Sequence, residues 1–369
     1  EGPLLRIAFF DRGQGRSGRL LIAIHHLAVD GVSWRILLED IHTAYQQLSS
    51  GAEIKLPPKT TSFKRWVERL EEYAQSDALK QEAGYWLAES SKRVRLLPLD
   101  FPGGANTVDS SGTVAVSLSL EETRTLLHQV PEAYHAQIDE VLLTALVQGF
   151  ARWTGARALL VDMEGHGREE IIEDVAMWRT MGWFTTHFPV LLDLGTSADS
   201  GAALKVIKER LRAVPNRGIG YGVLRYLSRN EEIVERLRAA PQPEVSFNYL
   251  GQFDQALPET SPFRPADESI GPLQSLRGER GHLLYFSGSV AGGQLHLTCV
   301  YSRNLHRRAT IEELTGNIVE AVRSIITHCQ SVEANGFTPS DFTLAKLDER
   351  KLERISSLLN EIDVSEEEE

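Results

Sequence analysis

The amino-acid sequence predicts an α+β protein built as two lobes, and three features of the chain carry that prediction. Apolar residues recur at helical spacing in some stretches and as short strand-like runs in others, without the strict rhythm of a βαβ protein. The 369 residues suffice for about two units of ordinary domain size, and a 42% hydrophobic content gives each the means to bury a core. Between Leu97 and Ser111, two Pro-flanked turns and Gly103-Gly104 read as a linker. These signals place a first lobe at residues 1–104, a second at 105–337, and an exit linker with an acidic tail at 338–369.

Taken in order, Leu4–Phe10 and Leu20–His26 are strand-like runs joined by a polar, Gly-rich connection, which predicts a hairpin. The first strand has no lead-in, so its sheet partners are expected upstream and the first lobe is read as incomplete. Trp34, Leu37, Leu38, Ile41, Tyr45 and Leu48 repeat at helical spacing, with Ser33 as the expected cap. More helix is expected over 62–90 and a strand over 113–120. The strongest helical face runs from Ile138 to Trp153. Strands follow at 157–163, 244–250, 282–290 and 294–301, the last two joined at Gly292-Gly293, with helices at 200–213, 221–239 and 309–329.

Composition excludes several functions. No apolar run approaches the ~20 residues that span a bilayer, and no signal peptide opens the sequence. Cys299 and Cys329 offer neither a disulfide framework nor a zinc pattern, which suits a reducing, cytoplasmic setting. The net charge of −12 comes without a basic stripe, so neither nucleic acid nor a membrane is expected as a partner. Part of the charge is local: residues 346–369 hold four basic and nine acidic side chains and end in Glu366–Glu369, a solvated tail. Gly13, Gly15 and Gly18 fit a dinucleotide fingerprint, but they join two strands and open no helix. His25 and His26, adjacent on a strand, would point to opposite faces and could not share a metal.

One segment points to chemistry. His25-His26-Leu27-Ala28-Val29-Asp30-Gly31 ends a strand and precedes a helix, where a rigid sheet holds an imidazole and a loop exposes it. Asp30, beside Gly31, is placed to accept a hydrogen bond or pair with an arginine and lock the turn. This HHxxxDG pattern resembles the signature of the chloramphenicol-acetyltransferase-like superfamily, which includes the condensation and epimerization domains of nonribosomal peptide synthetases. Further segments resemble the epimerization branch: Glu164-Gly165-His166-Gly167-Arg168-Glu169, the run Arg179–Pro189, the run Pro215–Gly222, and Phe247–Asp254, reading FNYLGQFD. Thr338–Phe342 resembles the segment that leads to the next module. The motif that opens the family pattern is absent, and Met181, Phe188 and Trp178 depart from the usual residues.

The resemblance implies two chloramphenicol-acetyltransferase-like lobes set as a V with a tunnel between them. It also implies inversion at the α-carbon of an aminoacyl or peptidyl group, held as a phosphopantetheine thioester on an upstream peptidyl carrier protein. A condensation domain is the expected downstream partner. No cofactor is expected to be bound by the domain itself, and no metal; the phosphopantetheine arm arrives with the carrier. Removing an α-proton requires a base within about 3 Å, an acid on the opposite face and donors for the growing enolate oxygen. His26 and Glu164 are the expected pair, with Glu164 made weaker as an acid by burial. Asn248 and Tyr249 are the expected donors, though a regular strand sends them to opposite faces. His25, Asp30, Gly31 and Arg179 are read as support, Arg179 as a partner for Asp30 or for a carboxylate near the cleft. His166 and Arg168 are read as orienting their own loop. Ser33 and Tyr221 are read as tunnel lining, and Trp183 as tunnel lining or core, with core preferred. Amide formation by a condensation domain, or carrier docking without turnover, are the rival readings.

Overall fold

A computed structural model describes residues 2–90, 94–197, 199–252, 261–331, 337–342 and 351. Phe253 and Asp254 of the FNYLGQFD run, and nearly all of the acidic tail, lie outside the described residues.

The expected hairpin forms from β1 (Leu5–Phe10) and β2 (Arg19–Ile24), antiparallel with Leu5 opposite Ile24. The Gly13–Gly18 pattern lies in its loop, where Gly13 and Gly15 take positive φ; the glycines serve a turn between strands. Helix α1 spans Gly31–Ser49. Its cap is Asp30, whose carboxylate accepts from the Ser33 amide at 2.7 Å, so Ser33 is not the cap that the sequence suggested. The helical stretch over 62–90 is two helices, α2 (Phe63–Tyr73) and α3 (Asp77–Ser90).

A six-stranded mixed sheet organises the rest. Its strands are β3 (Ser111–Ser117), β4 (Ala158–Gly165), β5 (Thr186–Asp193), β6 (Val245–Gln252), β7 (Leu284–Ala291) and β8 (Gln294–Ser302), in the order β3-β8-β7-β6-β4-β5. Strand β6 runs parallel to both neighbours, and the remaining pairs are antiparallel. The sequence reading did not expect β5. Its Pro189 argues against a central strand, but β5 sits at the sheet edge, where a missing N–H costs no ladder bond. Helix α4 (Leu120–Tyr134) was also unexpected. It carries Pro131, yet Ser119 and Glu122 close a capping box at its start. Helices α5 (Ile138–Thr154), α6 (Ser200–Arg212) and α9 (Arg308–Cys329) follow the expected spans. The helix expected over 221–239 divides into α7 (Ile219–Tyr226) and α8 (Glu231–Ala239), the second capped by Asn230.

The register decides what each sheet face carries. Met163, Phe247, Phe286 and Cys299 form one cross-strand row, all buried. Two residues along β7 on the same face, Leu142 of α5 lies against Gly288. Because strand side chains alternate, Asp162, Glu164, Asn248 and Tyr285 occupy the opposite face. The polar residues of the site are therefore segregated from the apolar core by strand parity alone.

Candidate active site

Glu164 stands at the end of β4, half-buried. From the neighbouring strand β6 the Asn248 side-chain amide donates to Glu164 Oε2. The Tyr285 hydroxyl, one strand further on β7, lies on the same sheet face and is influenced by both Glu164 and Asn248. Burial is the largest influence on the Glu164 carboxyl and raises it above the ordinary glutamate value. The positive charge of His187 and the Asn248 hydrogen bond pull it down, and the Asp162 carboxylate pushes it up; the net direction is upward. Burial also pushes the Tyr285 hydroxyl up to about 12, so the phenol keeps its proton and remains a donor. The Glu164 carboxyl is thus held by the Asn248 amide, beside a phenol that keeps its proton.

The histidine pair lies on a separate loop. His25 and His26 follow β2 in a single 3₁₀ turn rather than in the strand, so the prediction of opposite strand faces does not apply. His25 Nδ1 accepts from the Leu27 amide at 3.1 Å and is committed to the turn. His26 is exposed and makes no side-chain hydrogen bond among the described residues; its ring lies 4.9 Å from that of Trp183. Of the pair, His26 has its nitrogens available.

What holds this loop is Arg168. Its guanidinium donates to both Asp30 carboxylate oxygens at 3.0 and 3.1 Å and to Ser33 Oγ at 3.1 Å. It also donates to the carbonyls of Met177 and Thr180 and lies 4.1 Å over the Phe184 ring. Asp30 accepts from the Phe184 amide as well, and the Ser33 hydroxyl bonds both polar backbone atoms of Gly182. The three motifs containing Asp30, Arg168 and Phe184 are thus closed onto one buried charge pair. Gly167 permits the closure: at φ +66° its Cβ would stand 1.6 Å from the Phe184 carbonyl oxygen.

Several expected roles move. Arg179 does not pair with Asp30; it bridges to Glu39 and Asp40 on α1. Ser33 is fully buried inside the Arg168 clamp and lines no tunnel. Tyr221 is buried against Trp86 at 5.2 Å, with its hydroxyl accepting from Arg225, so it is core. Tyr249 lies over Gly288 near Leu142, on the sheet face away from Glu164, and the structure does not bring it to the carboxyl. Trp183 is exposed beside His26, not core. Gly31 is the first residue of α1. The sequence reading missed Tyr285, and it missed His187, which stands opposite Glu164 in the β4–β5 register. His187 Nδ1 and His282 Nε2 each lie 3.1 Å from Asp162 Oδ2. Asp162, two residues before Glu164 on a strand, was legible by parity. Its partners were not, because they depend on strand order. Among the described residues no group of three or more His, Cys, Asp or Glu side chains is arranged to hold a metal ion, and no helix is long and apolar enough to cross a membrane.

A mixed α+β fold with a central mixed sheet, and an HHxxxDG loop docked onto it, defines a protein of the chloramphenicol-acetyltransferase-like class. The chain matches the Condensation domain family over residues 1–347 and belongs to that family. It is 49% identical over 355 residues to a linear gramicidin synthase from Brevibacillus parabrevis, covering 96% of this chain and 5% of that protein. With gramicidin S synthase 1 of Brevibacillus brevis it shares 39% identity, over 97% of this chain and 33% of the relative. The chain therefore spans only a small part of these relatives. Among solved structures, it resembles the epimerization domain from the third module of tyrocidine synthetase B. The TM-score is 0.81 and the identity 38%, covering 89% of this chain and 72% of that one.

Proposed function

We propose that the chain is an epimerization domain of a nonribosomal peptide synthetase. In this reading it inverts the α-carbon of an aminoacyl or peptidyl thioester presented on the phosphopantetheine arm of a carrier protein. The observation that carries the reading is Glu164: a half-buried carboxyl weakened as an acid by burial, at a strand end, held by Asn248. Amide formation has no evident use for a carboxyl so prepared. The likeness to an epimerization domain at 38% identity supports the same choice.

The chemistry follows from the groups present. Glu164 as carboxylate takes the α-proton, the C–H electron pair moves toward the thioester carbonyl, and an enolate forms. His26, protonated, delivers a proton to the opposite face of the same carbon, giving the inverted centre. In the reverse direction the roles exchange. Asn248 holds the Glu164 carboxyl in place, and Tyr285 on the same sheet face supplies a donor for the enolate oxygen. Arg168 and Asp30 fix the loop that bears His26.

The test is product analysis on a carrier loaded with a single L-aminoacyl thioester. A mixture of L and D thioester is expected. Amide formation with a second loaded carrier and no inversion would make the domain a transferase, and binding without either product would make it a docking module.

A further inference from the structure

Resting on the isomerase reading of Glu164, one group of side chains beside it has no part in the proton transfers described so far. On β4, Asp162 shares a sheet face with Glu164; its Oδ2 accepts a hydrogen bond from His187 Nδ1 at 3.1 Å and lies 3.1 Å from His282 Nε2. His187, on β5, is directly opposite Glu164 in the register. Directly opposed strand residues have Cβ atoms about 5 Å apart. His282 is anchored just before β7, its carbonyl accepting from Asn106 at 2.9 Å. The two imidazoles remain partly exposed, at 44% and 25%, while Asp162 is nearly closed off. This arrangement places a carboxylate and two titratable rings around one catalytic carboxyl.

We propose that Asp162, His187 and His282 form a charge-balancing cluster that keeps Glu164 in its proton-accepting form, with His187 as the positioning residue. With Asp162 ionised and His187 protonated, the Asp162–His187 pair carries no net charge. Without a proton on His187 it carries one negative charge beside Glu164, which opposes ionisation there. The directions of titration agree. The Asp162 hydrogen bond holds the His187 proton more tightly than usual, against burial. Burial disfavours the Asp162 charge, but the bonds from His187 and His282 outweigh it and the carboxyl titrates below its ordinary value. The remaining titratable groups around the cluster are Tyr285 on β7, and Tyr221 on α7, which senses Asp162. Both tyrosines titrate above their ordinary value because of burial and stay neutral through the working range. Of the two imidazoles that act on the Glu164 carboxyl, His187 exerts the larger pull and lies directly opposite it.

The decisive experiment is a ¹³C NMR titration of the Glu164 carboxyl in the full chain, its resonance assigned by loss in Glu164→Gln. His187→Asn is expected to move the Glu164 titration upward by about one pH unit, since an opposite charge at this range shifts a carboxyl by one to three. His187→Lys, which restores the charge, is expected to return it to the wild-type position. In an inversion assay the acid limb of kcat/KM should move by the same amount in His187→Asn. A Glu164 titration unmoved by His187→Asn, with the protein folded, overturns the proposal; so does an upward shift that His187→Lys fails to reverse. Absence of inversion in the wild-type protein overturns the isomerase reading instead, and the NMR titration still decides the electrostatic one.

Discussion

The roles of individual residues turn on parity and on partners. Glu164 and Asn248 were legible because a strand end in a matched motif exposes one side chain to the open face. Tyr249 was misplaced because its neighbour in sequence took that face and left it on the core side of β6. Arg168 rather than Arg179 pairs with Asp30, since which arginine reaches Asp30 is set by the fold of a loop 138 residues away. The Asp30–Arg168 pair is buried, with side-chain exposures of 4% and 7%, so removing one partner leaves a charge without its counter-ion. Arg168→Met should lower stability by about 3 kcal/mol, read by denaturant unfolding. A change under 0.5 kcal/mol would show that the backbone donors to Asp30 suffice. The His187–Asp162 contact predicts a pH dependence with a definite sign. A histidine that titrates above its ordinary 6.5 stabilises the fold at low pH, and the contribution disappears as pH rises through its folded value. His187→Asn should therefore destabilise more at pH 5.5 than at pH 9, and an equal loss at both would remove the ion pair from the account.

Secondary elements were legible where periodicity was strong and illegible where proline interrupted it. Helix α5 and strands β7 and β8 were expected within a residue or two, because their apolar pattern matches one period throughout. Strand β5 and helix α4 were missed, each carrying a proline whose cost is removed by an edge position or offset by packing and a capping box. The hairpin was expected, but its weakness becomes visible only in three dimensions. Its two strands form a sheet of their own, with Ile7 61% and Phe9 69% exposed, and two strands alone are marginal in water. Amides of Leu5–Phe10 and Arg19–Ile24 should exchange with deuterium faster than those of β4, β6 and β7. Equal protection would show that the hairpin is held by more than its own ladder.

At the scale of the whole molecule, distant segments are joined by buried polar contacts that no local pattern reveals. Helix α3, from the first expected lobe, packs Trp86 against Phe188 and Tyr221 of the second. Near the end of the described chain, Asp341 receives Lys208 Nζ at 2.6 Å and Arg212 at 2.6 Å, with Lys208 wholly buried. Asp341→Ala should cost about 3 kcal/mol by taking the counter-ion from buried Lys208, and unchanged unfolding would mean that this turn is only loosely laid on α6. The loop that bears His26 is likewise tied to the segment after β4 at this scale, through the Arg168–Asp30 pair. The measurement that tests the central claim most directly is deuterium uptake and chirality at the α-carbon, started from each enantiomer of the carrier-bound residue in deuterated buffer. The wild type should invert both, and Glu164→Gln and His26→Asn should each slow inversion by roughly 10²–10⁴-fold while one enantiomer still exchanges its α-proton. Inversion at the wild-type rate in Glu164→Gln would contradict the assignment of that carboxyl as a base.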